Sequence, residues 1–387
     1  MNAPRPHLVK HLIPDLPDAD ALLPWLRQID ANRWYTNYGP LVLEFERQLS
    51  VMLATANGGR HLALTSLVTG YHALEFALRA FDLPAGGNVL MPVVTFPACP
   101  LAAIHAGLTP FFVDVDSSRW ALTPAIARRV VERHPVKAVM PVAVYGVPLP
   151  ATEWDEFTRE TGIPVIIDAA AAVETQQIPQ HCLVAHSLHA TKPFGIGEGG
   201  VLVGVNANAP WVARAFELSN FGSRDRIAYS PGTNGKMSEY HAAVGLAQMQ
   251  RWVGIKERRS ALLQRYRTAL AGLPLSLQVE IDRAVPSLLM VSCRGRTAAE
   301  IIAGLQERGI ATHQTYLPPL YQHPAFAAYP TVAADGRKIV TGSDIEAKKP
   351  ICPGAEYMRR QICGLPFHPF MDDEDIAAVV TALREIF

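Results

Sequence analysis

An alternation of apolar and amphipathic segments between His61 and Val205 constrains the fold of this chain most strongly. The strand-like segment HLALTS precedes TGYHALEFALRAF, whose apolar residues recur at helical spacing, and the alternation continues as far as VIIDAA. Two further apolar segments, VAHSLHA and GGVLVGV, close the series. Strands that alternate with helices are typical of a mainly parallel sheet covered on both faces. The pattern therefore predicts an α/β fold with a three-layer α/β/α large domain and ligands at the carboxyl ends of its strands.

The character of the chain changes after Met237, where a long stretch of helical spacing begins. The segments LLMVSCR, TAAEIIAGLQERG and IATHQTY then predict a strand, a helix and a strand, and DDEDIAAVVTALREIF predicts a closing helix. Between them, the segment from Tyr329 to Pro353 is loop-rich. A chain of 387 residues is also longer than one ordinary core needs. We therefore predict an N-terminal arm and large domain over residues 1–250 and a smaller α+β C-terminal domain over residues 251–387.

Composition and charge argue against several classes of partner. Thirty-five basic residues balance thirty-five acidic ones, which disfavours nucleic acid as the main partner. The five cysteines form no CxxC pair, so we interpret them as reduced thiols of a cytoplasmic protein and not as a metal site. The N-terminus lacks the apolar core of a signal peptide. The uncharged stretch from Leu83 to Val113 is interrupted by prolines, which favours buried strands and a helix over a membrane span.

A carboxylate and a lysine near the ends of two predicted strands suggest a cofactor site. Asp168 ends the apolar run VIID, and Lys192 lies between the strand-like SLHA and the glycine-rich turn GIGEGG. In a pyridoxal phosphate (PLP) site, a lysine forms a Schiff base and a carboxylate pairs with the pyridinium nitrogen. A surface lysine and a turn-capping aspartate are the alternative interpretation. The glycine run does not match GxGxxG and precedes a strand, so a dinucleotide site is disfavoured.

Other residues near predicted strand ends could complete such a site. Gly70 and Tyr71 open a predicted helix, whose free N–H groups could bind a phosphate, although an ordinary capped helix start is equally common. Ser187 could add a hydroxyl to the same phosphate. Phe96 could lie flat on the pyridine ring, although a lone aromatic is more often part of a core. His189 fits a structural role first and a substrate contact second.

Motifs along nearly the whole chain resemble those of one protein family. They are RWYTNYGPLVLEFE, TGYHALEFAL, MPVVTFPACPLAAIHAGLTPFFVDVD, AVYG, VIIDAA, SLHATKPFGIGEGG, NGKMSEYHAAVGLAQM and LPFHPFMDDEDI. With these motifs the chain resembles the DegT/DnrJ/EryC1/StrS group of PLP-dependent sugar aminotransferases, of PLP-transferase fold type I. The segment SLHATKPFGIGEGG is the most specific, because it combines the serine, the lysine and the glycine-rich turn at one spacing.

The resemblance implies a set of residue roles. It makes Lys192 the catalytic Schiff-base lysine. The residues that it assigns to the cofactor are Asp168, Phe96, Gly70, Tyr71, Ser187 and Asn234. In this family the asparagine reaches the phosphate from the neighbouring subunit, which implies a homodimer with shared active sites. The implied reaction moves an amino group, with glutamate as the expected donor, to a nucleotide-linked keto sugar. The expected acceptor is a 4-keto-6-deoxyhexose, for surface polysaccharide or secondary-metabolite synthesis.

Several positions depart from the family pattern and affect the expected substrate. Ala171 stands where a glutamine or histidine is common, and Ala143 and Tyr321 stand where histidines are common. Candidate substrate contacts, none of which the sequence ranks, are Tyr35, His189, His313 and Tyr316. Two alternatives stay open: a PLP-dependent sugar dehydratase of the same fold and a non-catalytic PLP-binding regulatory protein. The dehydratase branch carries a histidine in place of the Schiff-base lysine, so Lys192 argues against it.

Overall fold

The structure is a computed structural model that describes residues 9–337, 339–340 and 352–387. The helices within these ranges are α1 (Ala19–Asn32), α2 (Pro40–Ala56), α3 (Gly70–Ala80), α4 (Ala98–His105), α5 (Pro124–Val131), α6 (Ala151–Thr161), α7 (Ala209–Ser219), α8 (Glu239–Ala269), α9 (Ala298–Glu307), α10 (Pro353–Gln361) and α11 (Asp373–Ile386). Residues 1–8 of the predicted arm, and residues 338 and 341–351 of the predicted loop-rich segment, lie outside the described residues.

The strands within the same ranges form three sheets. They are β1 (Leu62–Leu67), β2 (Asn88–Pro92), β3 (Thr109–Val113), β4 (Val136–Val139), β5 (Val165–Asp168), β6 (Cys182–Ser187), β7 (Gly200–Val205), β8 (Ser223–Arg224), β9 (Ile227–Ala228), β10 (Leu275–Leu277), β11 (Leu289–Cys293), β12 (Thr331–Val332), β13 (Ile339–Val340) and β14 (Ile362–Leu365). The large sheet has the order β1-β7-β6-β5-β4-β2-β3-β12-β13. Strands β10, β11 and β14 form a second sheet, and β8 pairs with β9.

The centre of the large sheet is parallel, from β6 through β5, β4, β2 and β3 to β12. Strand β7 runs antiparallel to both β1 and β6. Every residue of β5 and β7 is buried, which explains why these segments read as continuous apolar runs instead of alternating ones. Helices α2, α3, α4, α6 and α7 contact its strands. This architecture confirms the predicted α/β fold with a mostly parallel sheet.

A second, smaller core lies beside the sheet β10-β11-β14. Apolar residues of that sheet pack with residues of α8, α9 and α11, among them Leu262, Leu289, Leu305 and Leu383. Helix α8 is one continuous helix of 31 residues, and it runs through the predicted boundary between residues 250 and 251. Strand β12, from the second half of the chain, joins the large sheet beside β3. The division into residues 1–250 and 251–387 stays a prediction.

The prediction of a strand over IATHQTY is wrong. Only Ile310 forms a strand-type bridge, with Val9, and the residues after it form no ladder. Side chains attach this segment instead, because the Gln314 amide donates to the carbonyl oxygens of Arg359 and Ile362 at 2.7 and 2.8 Å. Tyr316, near its end, has a positive φ of 66°. Such a backbone leaves the extended region that a strand requires.

Candidate active site

A cavity of about 560 Å³ lies at the carboxyl ends of four strands of the large sheet. Thr69 follows β1, Thr95 follows β2, Asp168 ends β5 and Ser187 ends β6, and all four line the cavity. The predicted residues that line it are Gly70, Tyr71, Phe96, Asp168, Ser187, His189, Lys192 and Tyr316. Parallel strands thus bring together side chains that are far apart in the sequence.

Three predicted residues lie elsewhere in the described chain. The Tyr35 ring stacks on Tyr240 with centroids 6.3 Å apart, and the His313 ring meets His11 at 4.1 Å. Asn234 pairs with Asn220 through a backbone bridge. None of the three lines the cavity of its own chain. The predicted contact of Asn234 with a neighbouring subunit stays a prediction, as do the substrate roles of the other two.

Asp168 is a buried carboxylate with two hydrogen-bond donors, and 5% of its surface is exposed. The Cys99 thiol donates to Oδ2 at 3.1 Å, and the Ala170 backbone N–H donates to Oδ1 at 3.0 Å. Burial raises the pKa of Asp168, while these donors and the Lys192 charge act in the opposite direction. A buried carboxylate of this kind is stabilised in its ionised form by a cation placed against it. A protonated ring nitrogen would be such a cation.

Lys192 is partly buried and reaches the cavity from the turn after β6. Its backbone N–H donates to the His189 carbonyl at 2.8 Å, which fixes the turn that carries the side chain. Burial lowers the pKa of Lys192, and the Asp168 carboxylate opposes this shift. A lowered pKa favours the neutral amine, the form that attacks carbonyl carbons and accepts protons.

The start of α3 and the end of β6 form a surface that could bind a phosphate, called the anion cradle below. The Thr69 hydroxyl accepts the His72 N–H at 3.3 Å and caps α3, whose N-terminus carries a favourable dipole for an anion. A Cβ on Gly70 would lie 2.7 Å from Cβ of Ser187, so only glycine permits this approach. The Tyr71 hydroxyl bonds to His105. A phosphate contact from Tyr71 would therefore come from its backbone N–H.

Aromatic side chains form one wall of the cavity. Phe96 is 60% exposed although it lines the cavity, and its ring meets Tyr316 edge-on at 6.5 Å. Tyr316 stacks on Tyr145 with centroids 5.3 Å apart and planes 3° apart. A large exposed phenyl ring in a cavity leaves an aromatic face free to cover a flat ligand ring. The stacking role of Phe96 stays a prediction.

The departures from the family pattern fall in two places. Ala143 and Ala171 both line the cavity, so its wall near Asp168 is apolar where hydrogen-bonding side chains were expected. Tyr321 is buried outside the lining, and its hydroxyl donates to the Glu356 carboxylate at 3.1 Å. Its effect on the cavity is therefore indirect.

Sequence reasoning missed His72, which lines the cavity, and Cys99, a buried residue that contacts Asp168. Cys99 lies four residues after Thr95, at the same strand end that led us to Phe96. The rule that ligands gather at strand ends could have included it, but the sequence interpretation of the cysteines goes no further than reduced thiols that form no metal site. His72 lies in the first turn of α3, where its ring contacts the Thr69 hydroxyl at 2.7 Å.

The described residues fit PLP in each of its parts. A buried carboxylate requires a cation, a lysine has a lowered pKa, a glycine-opened helix start faces a serine, and a phenyl ring is free. No group of three or more His, Cys, Asp or Glu side chains in residues 9–337 and 352–387 is arranged to hold a metal ion. No helix in the described part of the chain is long and apolar enough to cross a membrane.

Solved structures define the class of protein. DesV of Streptomyces venezuelae, determined in complex with a ketimine intermediate, has a TM-score of 0.79 against this chain at 27% identity. The match covers 96% of this chain and 98% of DesV. Together with the lysine, the carboxylate and the anion cradle, it places the chain among the PLP-dependent aminotransferases of the α/β class.

The family follows from the sequence. Residues 19–384 match the model of the DegT/DnrJ/EryC1/StrS aminotransferase family, and the chain belongs to that family. Its relatives include the dTDP-3-amino-3,4,6-trideoxy-alpha-D-glucose transaminase of Streptomyces venezuelae, 28% identical over 93% of this chain and 90% of that protein. The dTDP-4-amino-4,6-dideoxy-D-glucose transaminase of Escherichia coli is 31% identical over 67% of this chain and 69% of its own. The predicted family, enzyme class and PLP cofactor are thus confirmed.

Proposed function

We propose that the enzyme transfers an amino group from glutamate to the ketone of a nucleotide-linked sugar, a 4-keto-6-deoxyhexose. The main observation that supports this proposal is that Lys192 and Asp168 line the same cavity of about 560 Å³. The two transaminase relatives are named for dTDP-linked amino sugars, with the amine at carbon 3 or carbon 4. The product would enter the synthesis of a surface polysaccharide or a secondary metabolite.

Each proposed role rests on the position of a side chain. Bound PLP supplies an electrophilic carbon and an electron-withdrawing ring. Lys192 would attach the cofactor and then hold and return a proton at Nζ, for which its lowered pKa is suited. Asp168 would pair as a carboxylate with the ring nitrogen, and Phe96 would cover one face of the ring. The N-terminus of α3 and the Ser187 hydroxyl would bind the phosphate.

The proposed homodimer is supported by exposed apolar residues around Asn234. Phe221 is 55% exposed and its backbone N–H donates to Thr233, next to Asn234. Tyr229, at the end of the adjoining β8-β9 hairpin, is 65% exposed. Monomeric proteins rarely expose clusters of large apolar side chains, and such patches commonly mark interfaces. We propose that this surface binds a second copy and brings Asn234 to the partner's phosphate site.

An amine-transfer assay tests the proposed reaction. The purified enzyme is incubated with glutamate and a panel of nucleotide-linked 3-keto and 4-keto sugars, and the amino sugar is quantified by mass spectrometry. We expect the highest kcat/KM with a 4-keto-6-deoxyhexose. The Lys192→Ala variant should fold, lose the imine absorbance and lose turnover, whereas Lys137→Ala, at an exposed lysine of β4, should retain both.

Other outcomes would separate the alternatives. Loss of a sugar hydroxyl without amine transfer would favour the dehydratase. If neither glutamate nor any other amino acid tested as donor changes the absorbance of the bound cofactor, a regulatory protein would be favoured. Amine transfer by Lys192→Ala would refute the role of that lysine.

A further inference from the structure

The Cys99 thiol contacts the carboxylate on which the cofactor site depends. Cys99 lies in the first turn of α4, after β2, and is completely buried. Its sulfur is 3.1 Å from Oδ2 of Asp168 and 3.1 Å from the Thr95 hydroxyl oxygen. Thr95 is 1% exposed. The three side chains form a buried chain that joins the turn after β2 to the end of β5.

The chemistry of the groups fixes the direction of these hydrogen bonds. An ionised carboxylate only accepts, and a thiol has one proton, so Cys99 donates that proton to Asp168. The Thr95 hydroxyl must then donate to the sulfur. Burial and the negative charge of Asp168 raise the pKa of the Cys99 thiol well above its ordinary value. The thiol therefore stays protonated, which keeps it a donor and makes it a poor nucleophile.

Cys99 supplies the side-chain hydrogen bond to Asp168 in the described part of the chain. The other donor, the Ala170 N–H, belongs to the turn after β5 and is fixed by the backbone. Two other ionisable groups face the carboxylate: Lys192, whose charge favours ionisation, and the phenol of Tyr316, whose pKa is raised by burial and by the carboxylate. The ionised form of Asp168 is thus stabilised, against the effect of burial, by one thiol, one backbone amide and one lysine.

We propose that Cys99 is a positioning residue for the cofactor. Its thiol keeps the Asp168 carboxylate ionised and fixed in the orientation that pairs with the ring nitrogen, and Thr95 orients the thiol. This inference rests on the proposed pairing of Asp168 with PLP. It gives a function to a cysteine that is neither a metal ligand nor a nucleophile.

The test compares variants by their affinity for PLP as a function of pH. Cofactor is removed from the full-length protein, and PLP is titrated back while absorbance is recorded. At neutral pH, Cys99→Ala should bind PLP about threefold to tenfold more weakly, the cost of one hydrogen bond. Because the carboxylate loses a donor, its pKa rises further, and the acid-side midpoint of PLP binding should move up by about half a unit to one unit.

Two controls separate this role from a packing effect. Cys99→Ser keeps a donor and should restore both the affinity and the midpoint. Cys182→Ala removes another completely buried thiol, one that contacts the Thr158 hydroxyl at 3.4 Å, and should change neither. An unchanged midpoint in Cys99→Ala would overturn the proposal. If that variant does not fold, Thr95→Val takes its place, and an unchanged midpoint there has the same meaning.

A third variant distinguishes failure of this inference from failure of the proposed site. Asp168→Asn should weaken PLP binding about a hundredfold or more and abolish the acid-side midpoint, because a buried charge loses its partner. If Asp168→Asn binds PLP normally, the proposed role of Asp168 is wrong and the inference falls with it. If Asp168→Asn binds weakly while Cys99→Ala resembles the wild type, only the role of Cys99 is wrong.

Discussion

Replacing Glu239 should destabilise the fold, because this residue of α8 caps the N-terminus of α2, a helix far from it in the sequence. Glu239 is completely buried, and its oxygens accept the backbone N–H groups of Leu41 and Val42 at 2.9 and 2.8 Å. The residue before α2, Gly39, has no side chain to make this cap itself. Glu239→Ala would leave two buried donors without a partner.

The expected loss is large enough to measure. Hydrogen bonds to a charged group contribute about 1.5–3 kcal/mol each, so two lost bonds cost about 3–6 kcal/mol of unfolding free energy. With an unfolding entropy of about 2.1 cal/mol/K per residue over 387 residues, the midpoint of thermal unfolding falls by about 4–7 °C. Urea denaturation and scanning calorimetry measure the two quantities.

Two matched variants sharpen the comparison. Glu239→Gln keeps the shape and one acceptor oxygen, so it should lose about half as much. Glu257→Ala, at an exposed glutamate of the same helix, should change the unfolding free energy by less than about 0.5 kcal/mol. A loss below about 1 kcal/mol in Glu239→Ala would refute the reasoning, because α2 would then not depend on this carboxylate.

Three other predictions concern the shared site, the anion cradle and the response to pH. Mixing inactive Lys192→Ala and Asn234→Ala subunits should restore about a quarter of the active sites if each site draws on both chains; no recovery in an activity assay after subunit exchange would contradict sharing. Gly70→Ala should weaken PLP binding about tenfold or more, because its Cβ would lie 2.7 Å from that of Ser187; titration measures this, and normal affinity would contradict the cradle. Burial lowers the pKa of His11 from 6.5 to about 3, so the unfolded chain binds the extra proton between these values, and the unfolding free energy should fall as pH decreases across them. His11→Phe should flatten this slope in urea denaturation, and an unchanged slope would assign it to other groups.

The part of the fold that sequence predicts well is the part whose pattern is local. Strands such as β5 and β7 are buried on both faces, so a continuous apolar run marks each of them. The strand-end rule placed Asp168 at a ligand-binding edge of the sheet, and Asp168 lines the cavity. The local pattern predicted a strand wrongly at Ile310 and the residues after it. That segment forms no strand ladder and is attached by the Gln314 side chain to the carbonyl groups of Arg359 and Ile362.

The parts of the site that sequence missed depend on contacts between distant segments. The contact between Cys99 and Asp168 joins the start of α4 to the end of β5, and 69 positions of sequence separate the two residues. His313 is one of the unranked candidate substrate contacts, yet its ring packs on His11 of the N-terminal segment. Residue type and sequence spacing do not reveal which of two neighbouring side chains a residue contacts.

The continuous helix α8 has a consequence for how the protein unfolds. At 1.5 Å per residue, its 31 residues span about 46 Å. Leu246 lies in the core of the large sheet, and Tyr266 lies in the smaller core. Melting the smaller core alone would require the hydrogen-bonded helix to break in its middle. The two cores should therefore lose their structure together, as one cooperative unit, even though each is built around a sheet of its own.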